Sequence, residues 1–278
     1  MISPKPQMSF SLFGASRIGI ALAYQLHRIG YKPEFVWNRH QPRLNQAIQF
    51  VPFANQTTEL ATACRRLPNL IIIAVADDAI ESVATQISQC AEDFSRVMAF
   101  HTSGFLNSKA LEKLELKGAV TGSLHPVVSV PDVPSGIRLL ERCIYTCEGA
   151  IKNSLMKLVT AIGAKPYALN RRQKEIVHLS AVFLNNYIVA LVNAIKNLGA
   201  DHAISPDQVQ AILRPISEQG ISSGWEKSIA EALTGPLIRG DFKTIEKHLD
   251  LLSDNRELKA LYQGFIDLIL RIIGQPPR

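Results

Sequence analysis

His101, Ser103 and His125 are the side chains of this sequence best suited to moving a proton. His101-Thr102-Ser103-Gly104 follows one short apolar run, Val97 to Phe100, and His125-Pro126 follows another, Ala119 to Leu124. An unperturbed imidazole titrates near neutrality, which suits general acid or base work. A nearby serine hydroxyl can orient the ring or bind a reacting oxygen. Groups of this kind gather at the C-terminal ends of strands in open α/β sheets. His125 is therefore expected as the acid/base, Ser103 as its partner and His101 on the substrate side. A blander reading competes: Thr102 and Ser103 cap a helix, Gly104 turns the chain, and His125 merely precedes a proline.

The elements that must position these groups start near the N-terminus. Ser9 to Gly19 reads S-F-S-L-F-G-A-S-R-I-G, an apolar run, a glycine turn and a helix start. This is the opening of a dinucleotide-binding βαβ unit, in which helix N-terminal amides meet a pyrophosphate. Gly14 and Gly19 hold the first and third glycine positions, while Ser16 replaces the middle one. Serine is the mildest replacement, and its hydroxyl can donate to a phosphate. The turn is expected to place Gly14, Ala15, Ser16, Arg17, Ile18 and Gly19 at the cofactor; a tight turn without a ligand is the alternative. Ile18, Leu22, Leu26 and Ile29 keep one helical face apolar, and Gly30 reads as the C-terminal cap.

A second strand, Glu34 to Trp37, ends in Asn38-Arg39, with Arg43 shortly after. An acidic residue here would bind ribose hydroxyls, whereas an arginine suits a 2′-phosphate. The position favours NADP over NAD, unless Arg39 is simply a solvated surface charge. The third strand, Leu70 to Val75, runs into Ala76-Asp77-Asp78, a turn and helix cap that brings Val75, Ala76 and Asp77 to the same cofactor edge.

Further β-rich runs at Cys143 to Thr146 and Pro166 to Leu169 continue the alternation with helical segments, which argues for a mainly parallel sheet. No strand pattern recurs from Arg171 onward. Helices are expected there over Ser205 to Ser217, Ser222 to Leu233 and Lys243 to Ile273, with Ser205-Pro206 as an N-cap and first-turn proline. The fold class is α/β: a dinucleotide-binding domain over residues 8–170, then an all-helical domain over 171–278 for substrate and dimerisation. Ile176 to Ile195 carries no charge, long enough to raise a membrane span. Its His178, Ser180, Asn185, Asn186 and Asn193 argue against one, and a core or dimer-interface helix is expected instead.

The 278 residues suffice for two cores, and 47% hydrophobic with 19% charged residues describe a globular chain. A net charge of +6 is modest and dispersed, with pairs such as Arg65-Arg66 and Arg171-Arg172, so nucleic-acid binding has little support. Residues 1–7 are expected to form a loose tail and lack a secretory pattern. The four cysteines show no metal-ligand spacing. Cys143 and Cys147 would sit about 13 Å apart along a strand, beyond disulfide reach. Reduced thiols, no metal and a cytoplasmic location are expected.

Two more groups are candidates. His178 and Asn185 are seven residues apart and share a helical face, with Asn186 displaced by about 80°. Such asparagines serve substrates or interhelical hydrogen bonds. In Thr234 to Asp241, T-G-P-L-I-R-G-D, Thr234, Arg239 and Asp241 can build an anion pocket with Arg239 as the fork. Helix caps explain the glycines, proline and aspartate equally well, but not Arg239.

H-T-S-G, S-L-H-P, K-E-I-V-H-L-S-A-V-F-L-N-N-Y (Lys174 to Tyr187) and A-L-T-G-P-L-I-R-G-D (Ala232 to Asp241), followed by His248, resemble one family. These are the Rossmann-like proteins with a C-terminal domain of unknown function 2520, and the resemblance runs from Phe10 to about Leu252. It implies a layout like that of pyrroline-5-carboxylate reductase and 6-phosphogluconate dehydrogenase, NADP as cofactor and oxidoreductase activity on a small-molecule substrate. It also implies Asn186 over Asn185, with His178, and a homodimer through the helical domain. Prephenate dehydrogenases likewise place a serine after one strand and His-Pro after the next, which implies that His125 handles a hydroxyl proton during hydride transfer. The catalytic lysine of β-hydroxyacid dehydrogenases is missing, Val182 standing at its position. The expected substrate is an anionic hydroxy, keto or imino compound. That gap and Ser16 leave open a non-catalytic nucleotide-binding sensor, and more weakly a deazaflavin-dependent reductase.

Overall fold

The computed structural model describes residues 8–64 and 66–274. Residues 1–7, expected as a tail, and Arg65 of the arginine pair lie outside them. The chain divides into two compact units, Met1–Phe183 and Leu184–Arg278.

The first unit is built on an eight-stranded sheet. Its strands are β1 (Ser9–Phe13), β2 (Lys32–Trp37), β3 (Asn55–Thr57), β4 (Leu70–Ile73), β5 (Met98–His101), β6 (Val120–Pro126), β7 (Ile144–Gly149) and β8 (Lys165–Ala168). Their order is β3-β2-β1-β4-β5-β6-β7-β8. All neighbours pair in parallel except β6 and β7, which run antiparallel. Leu70, Ile71, Ile72 and Ile73 are all buried, the continuous apolar run of a central strand covered on both faces.

Helices α1 (Arg17–Arg28), α2 (Gln41–Phe50), α3 (Leu60–Ala63), α4 (Asp77–Ser88), α5 (Glu112–Glu115), α6 (Val133–Leu140), α7 (Lys152–Ile162) and α8 (Arg171–Ala181) complete this unit. They form two cores. Leu22 and Leu26 of α1 join Leu140, Leu155 and Val159 in one, while Ile80, Val83 and Ile87 of α4 join Leu111 and Leu114 in the other. Gly30 has φ +98°, the left-handed conformation that ends α1 as its sequence position suggests.

The second unit holds α9 (Ile188–Asp201), α10 (Pro206–Glu226), α11 (Ile229–Ala232), α12 (Phe242–Leu251) and α13 (Arg256–Ile272). Ser205 caps α10 with a capping box and proline in the first turn. The expected break between Ser217 and Ser222 is absent: α10 runs on through Pro215 to Glu226. A capped start and the four-residue α11 stand where a second long helix was expected.

A π-helical stretch, Val182–Tyr187, joins α8 to α9, making one helix of 31 residues from Arg171 to Asp201. By length and composition it is apolar enough to cross a membrane. The expectation of a core helix is corrected here: its most apolar window is not buried within the chain, and Val189 is 65% exposed. Among the described residues its apolar face is left largely exposed.

Candidate functional site

β1 lies between β2 and β4, and the chain leaves toward opposite edges of the sheet from this point. Such a reversal opens a crevice at the C-terminal strand ends. A cavity of about 1020 Å³ occupies it, reaching from Gly14–Ile18 past Asn38, Arg39 and Ala76 to Thr102, Ser103, Gly104, His125 and His178. All of these residues belong to the first unit.

At one end the walls are main chain and arginine. Gly14 has φ +99°, and a Cβ there would come 2.5 Å from the Ala74 carbonyl oxygen. A Cβ on Gly19 would lie 2.7 Å from Ala74 Cβ, so α1 packs here against the residue that follows β4 with no side chain between them. Ser16 is the N-cap: its Oγ accepts from Gly19 N at 3.0 Å. The hydroxyl is thus first a cap, with its hydrogen left for a neighbour. Arg17, Arg39 and Arg43 line the cavity, and Asn38 Oδ1 accepts from His40 N at 2.9 Å to shape the turn between them. Unpaired helix amides, a glycine cradle and three cations fit the phosphates of a dinucleotide. Gly14, Ala15, Ser16, Arg17, Ile18, Asn38, Arg39, Val75, Ala76 and Asp77 all line this cavity, while Gly19 packs against Ala74.

At the other end sit two histidines. His125 Nδ1 lies 3.1 Å from the Thr102 carbonyl oxygen. A carbonyl only accepts, so Nδ1 carries the hydrogen and Nε2 keeps a lone pair. Burial, aided by the charge of Lys174 and by His178, lowers the His125 pKa to about 4. At neutral pH this ring is a hydrogen-bond acceptor and base at Nε2. His178 packs edge-on against it, with ring centroids 5.9 Å apart.

Ser103 does not orient His125, a correction to the expected pair. Its Oγ donates to Asp77 Oδ2 at 2.7 Å and accepts from Phe105 N and Leu106 N, which consumes its bonding capacity. Within the expected turn and cap at Ala76 to Asp78, Ala76 is the N-cap of α4 and Asp77 its first residue. His101 is fully buried and does not line the cavity: Nε2 donates to the Asn107 carbonyl at 3.0 Å and Nδ1 accepts from Ser103 N at 3.3 Å. Burial first, then Lys174, lowers its pKa to about 4. It fixes the loop rather than a substrate.

Lys174 is a residue next to the cavity, bonded to the loop that carries Ser103, that sequence reasoning missed. Its side chain is buried and Nζ donates to the carbonyl oxygens of Ser103 and Leu106. Burial lowers its pKa to about 8. Glu148, also buried, accepts from Ser108 N, Ser108 Oγ and Ser123 Oγ at 2.8, 3.0 and 3.2 Å. The segment 103–108 is thereby fastened at both ends. A lysine in the first turn of a charged helix start gives no sequence signal of burial.

Asn186 and Arg239 lie in the second unit and both are exposed. Asn186 Oδ1 accepts from Asn185 Nδ2 at 2.9 Å. The π stretch between His178 and these asparagines overturns the seven-residue face argument, because a π turn takes more residues than an α turn. Asp241 caps α12 through Thr244 N and Thr244 Oγ1, as the cap alternative for T-G-P-L-I-R-G-D has it.

Residues 3–126 match a Rossmann-like domain model and residues 143–267 match domain of unknown function 2520. The chain belongs among Rossmann-like proteins that carry this C-terminal domain. A candidate NADP oxidoreductase of Bacteroides fragilis is similar over 95% of this chain and 98% of its own, with TM-score 0.76 and 21% identity. A reductive aminase from Aspergillus terreus, solved with NADPH and ethyl levulinate, gives TM-score 0.68 and 13% identity over 98% of this chain and 96% of its own. Prephenate dehydrogenase from Aquifex aeolicus, solved with NAD+ and hydroxyphenyl propionate, gives 0.56 and 13% over 98% and 99%. Among curated proteins none matches this chain.

Proposed function

We propose that this chain is an NADP-dependent oxidoreductase that moves hydride between NADP(H) and a small, anionic hydroxy, keto or imino compound. One observation carries the reading: the glycine turn with its arginines and the basic Nε2 of His125 line the same cavity. A bound nicotinamide supplies the hydride acceptor or donor. The N-terminal amides of α1 hold the pyrophosphate, and Arg39, with Arg43 beside it, takes the 2′-phosphate in place of an acidic residue that would favour NAD. His125 Nε2 takes the proton of a substrate hydroxyl or amine as hydride leaves the adjoining carbon. The similar proteins solved with NADPH and with NAD+ support a nicotinamide nucleotide in general, and Arg39 supports NADP in particular.

The exposed apolar helix supports a homodimer through the helical region, with Leu184, Val189 and Val192 covered by a second copy. The four free cysteines are consistent with a reducing, cytoplasmic setting.

A screen of hydroxy, keto and imino acids followed by nicotinamide absorbance tests the reaction. His125→Asn is expected to lower kcat by about 100-fold or more. Unchanged turnover would remove His125 from the chemistry.

A further inference from the structure

We propose that His178 is a second catalytic group, which receives at Nδ1 the proton that His125 takes from substrate and discharges it to the cleft. The inference rests on the reading above, and its observations are independent of the cofactor.

Three features of the site converge. The Nδ1 hydrogen of His125 is held by the Thr102 carbonyl, so a proton arriving at Nε2 has no exit through the other side of the ring. His178 Nδ1 is buried and has no hydrogen-bond partner, a costly arrangement unless a proton-bearing group comes to face it. His178 Nδ1 and the Nε2–Cε1 edge of His125 lie beside one point above Gly104. A methyl built there would lie 2.8 Å from His125 Nε2 and 2.3 Å from His178 Nδ1, so the two nitrogens are within about 5 Å of each other.

The other charged and titratable groups around His125 do not compete for the proton. Lys174 is a cation that opposes a charged imidazole, and both nitrogens of His101 are engaged. Asp77 favours the charged ring electrostatically, but its Oδ2 is engaged by Ser103 and no hydrogen bond joins it to either histidine among the described residues. His178 is half-buried and lines the open cavity.

In the oxidative direction the substrate O–H or N–H bond breaks toward His125 Nε2. Its electron pair forms the C=O or C=N bond, and hydride leaves carbon for the oxidised nicotinamide. His125 passes the proton directly to His178 Nδ1. The resulting imidazolium releases a proton to water in the cavity. Reduction runs the same transfers in reverse.

The test is 15N-histidine NMR of the full chain without nucleotide, titrated from pH 4 to 9, comparing wild type with His178→Gln and His178→Phe. The expected result is a bare Nε2 on His125 and a bare Nδ1 on His178 at neutral pH. The His125 signals should also respond to replacement of His178. In both variants the His125 midpoint should shift upward, because His178 lowers it in the intact chain. A hydrogen fixed on His178 Nδ1 at neutral pH, or a His125 midpoint unmoved in a folded variant, would overturn the relay. NADPH binding is measured separately: a protein that binds NADPH but has uncoupled histidines loses the relay alone, whereas failure to bind NADPH removes the oxidoreductase reading.

Discussion

Lys174 and Ser103 are joined by a hydrogen bond from a buried ammonium to a main-chain carbonyl oxygen. The same ammonium also holds the Leu106 carbonyl, so one side chain of α8 fixes the loop that follows β5. Lys174→Met keeps much of the volume but leaves two carbonyls without their donor, each costing about 1–3 kcal/mol. Removing a charge from a buried position offsets part of that. A net loss of about 2 kcal/mol is expected from urea unfolding. A variant as stable as wild type would show that the ammonium does not hold the loop.

Gly104 has space for its backbone but none for a methyl group, because two imidazole nitrogens already occupy the position. Gly104→Ala must push His178 or His125 aside. Displacement of about 1 Å in a catalytic group costs on the order of 100-fold in rate. Turnover should therefore fall by about that factor while NADPH affinity stays near wild type. Equal loss of both would mean that the loop as a whole, and not the histidine pair, was disturbed.

His101 and His125 make stability depend on pH in a defined window. Each has a folded pKa of about 4 against an ordinary value of 6.5, so the unfolded chain binds more protons between these limits. Their contribution is complete above pH 6.5 and is lost as pH falls toward 4. The urea midpoint should drop between pH 7.5 and pH 5, and His125→Phe should lessen the drop. A midpoint that is flat or higher at pH 5 would contradict the assignment of two neutral buried rings.

Much of the sheet was legible because parallel strands buried on both faces are short apolar runs, as in Leu70 to Ile73. β3 escaped notice because Asn55, Gln56 and Thr57 form a polar edge strand with no hydrophobic signal. The cofactor turn was legible from Gly14 and Gly19, whose backbone roles leave a mark in sequence. The partners of the histidines were not. Whether Ser103 bonds His125 or Asp77 depends on side-chain directions across β4, β5 and β6, which local patterns do not encode. The π stretch at Val182–Tyr187 likewise shifts the helical phase without any proline or glycine to announce it.

Titration of the purified protein with NADPH and NADH, by nicotinamide fluorescence or calorimetry, tests the central claim most directly. NADPH should bind more tightly than NADH, and Arg39→Ala should erase about 1–3 kcal/mol of that preference, the loss of a charge-assisted hydrogen bond to phosphate. Binding of neither nucleotide, or a preference that Arg39→Ala leaves unchanged, would contradict it.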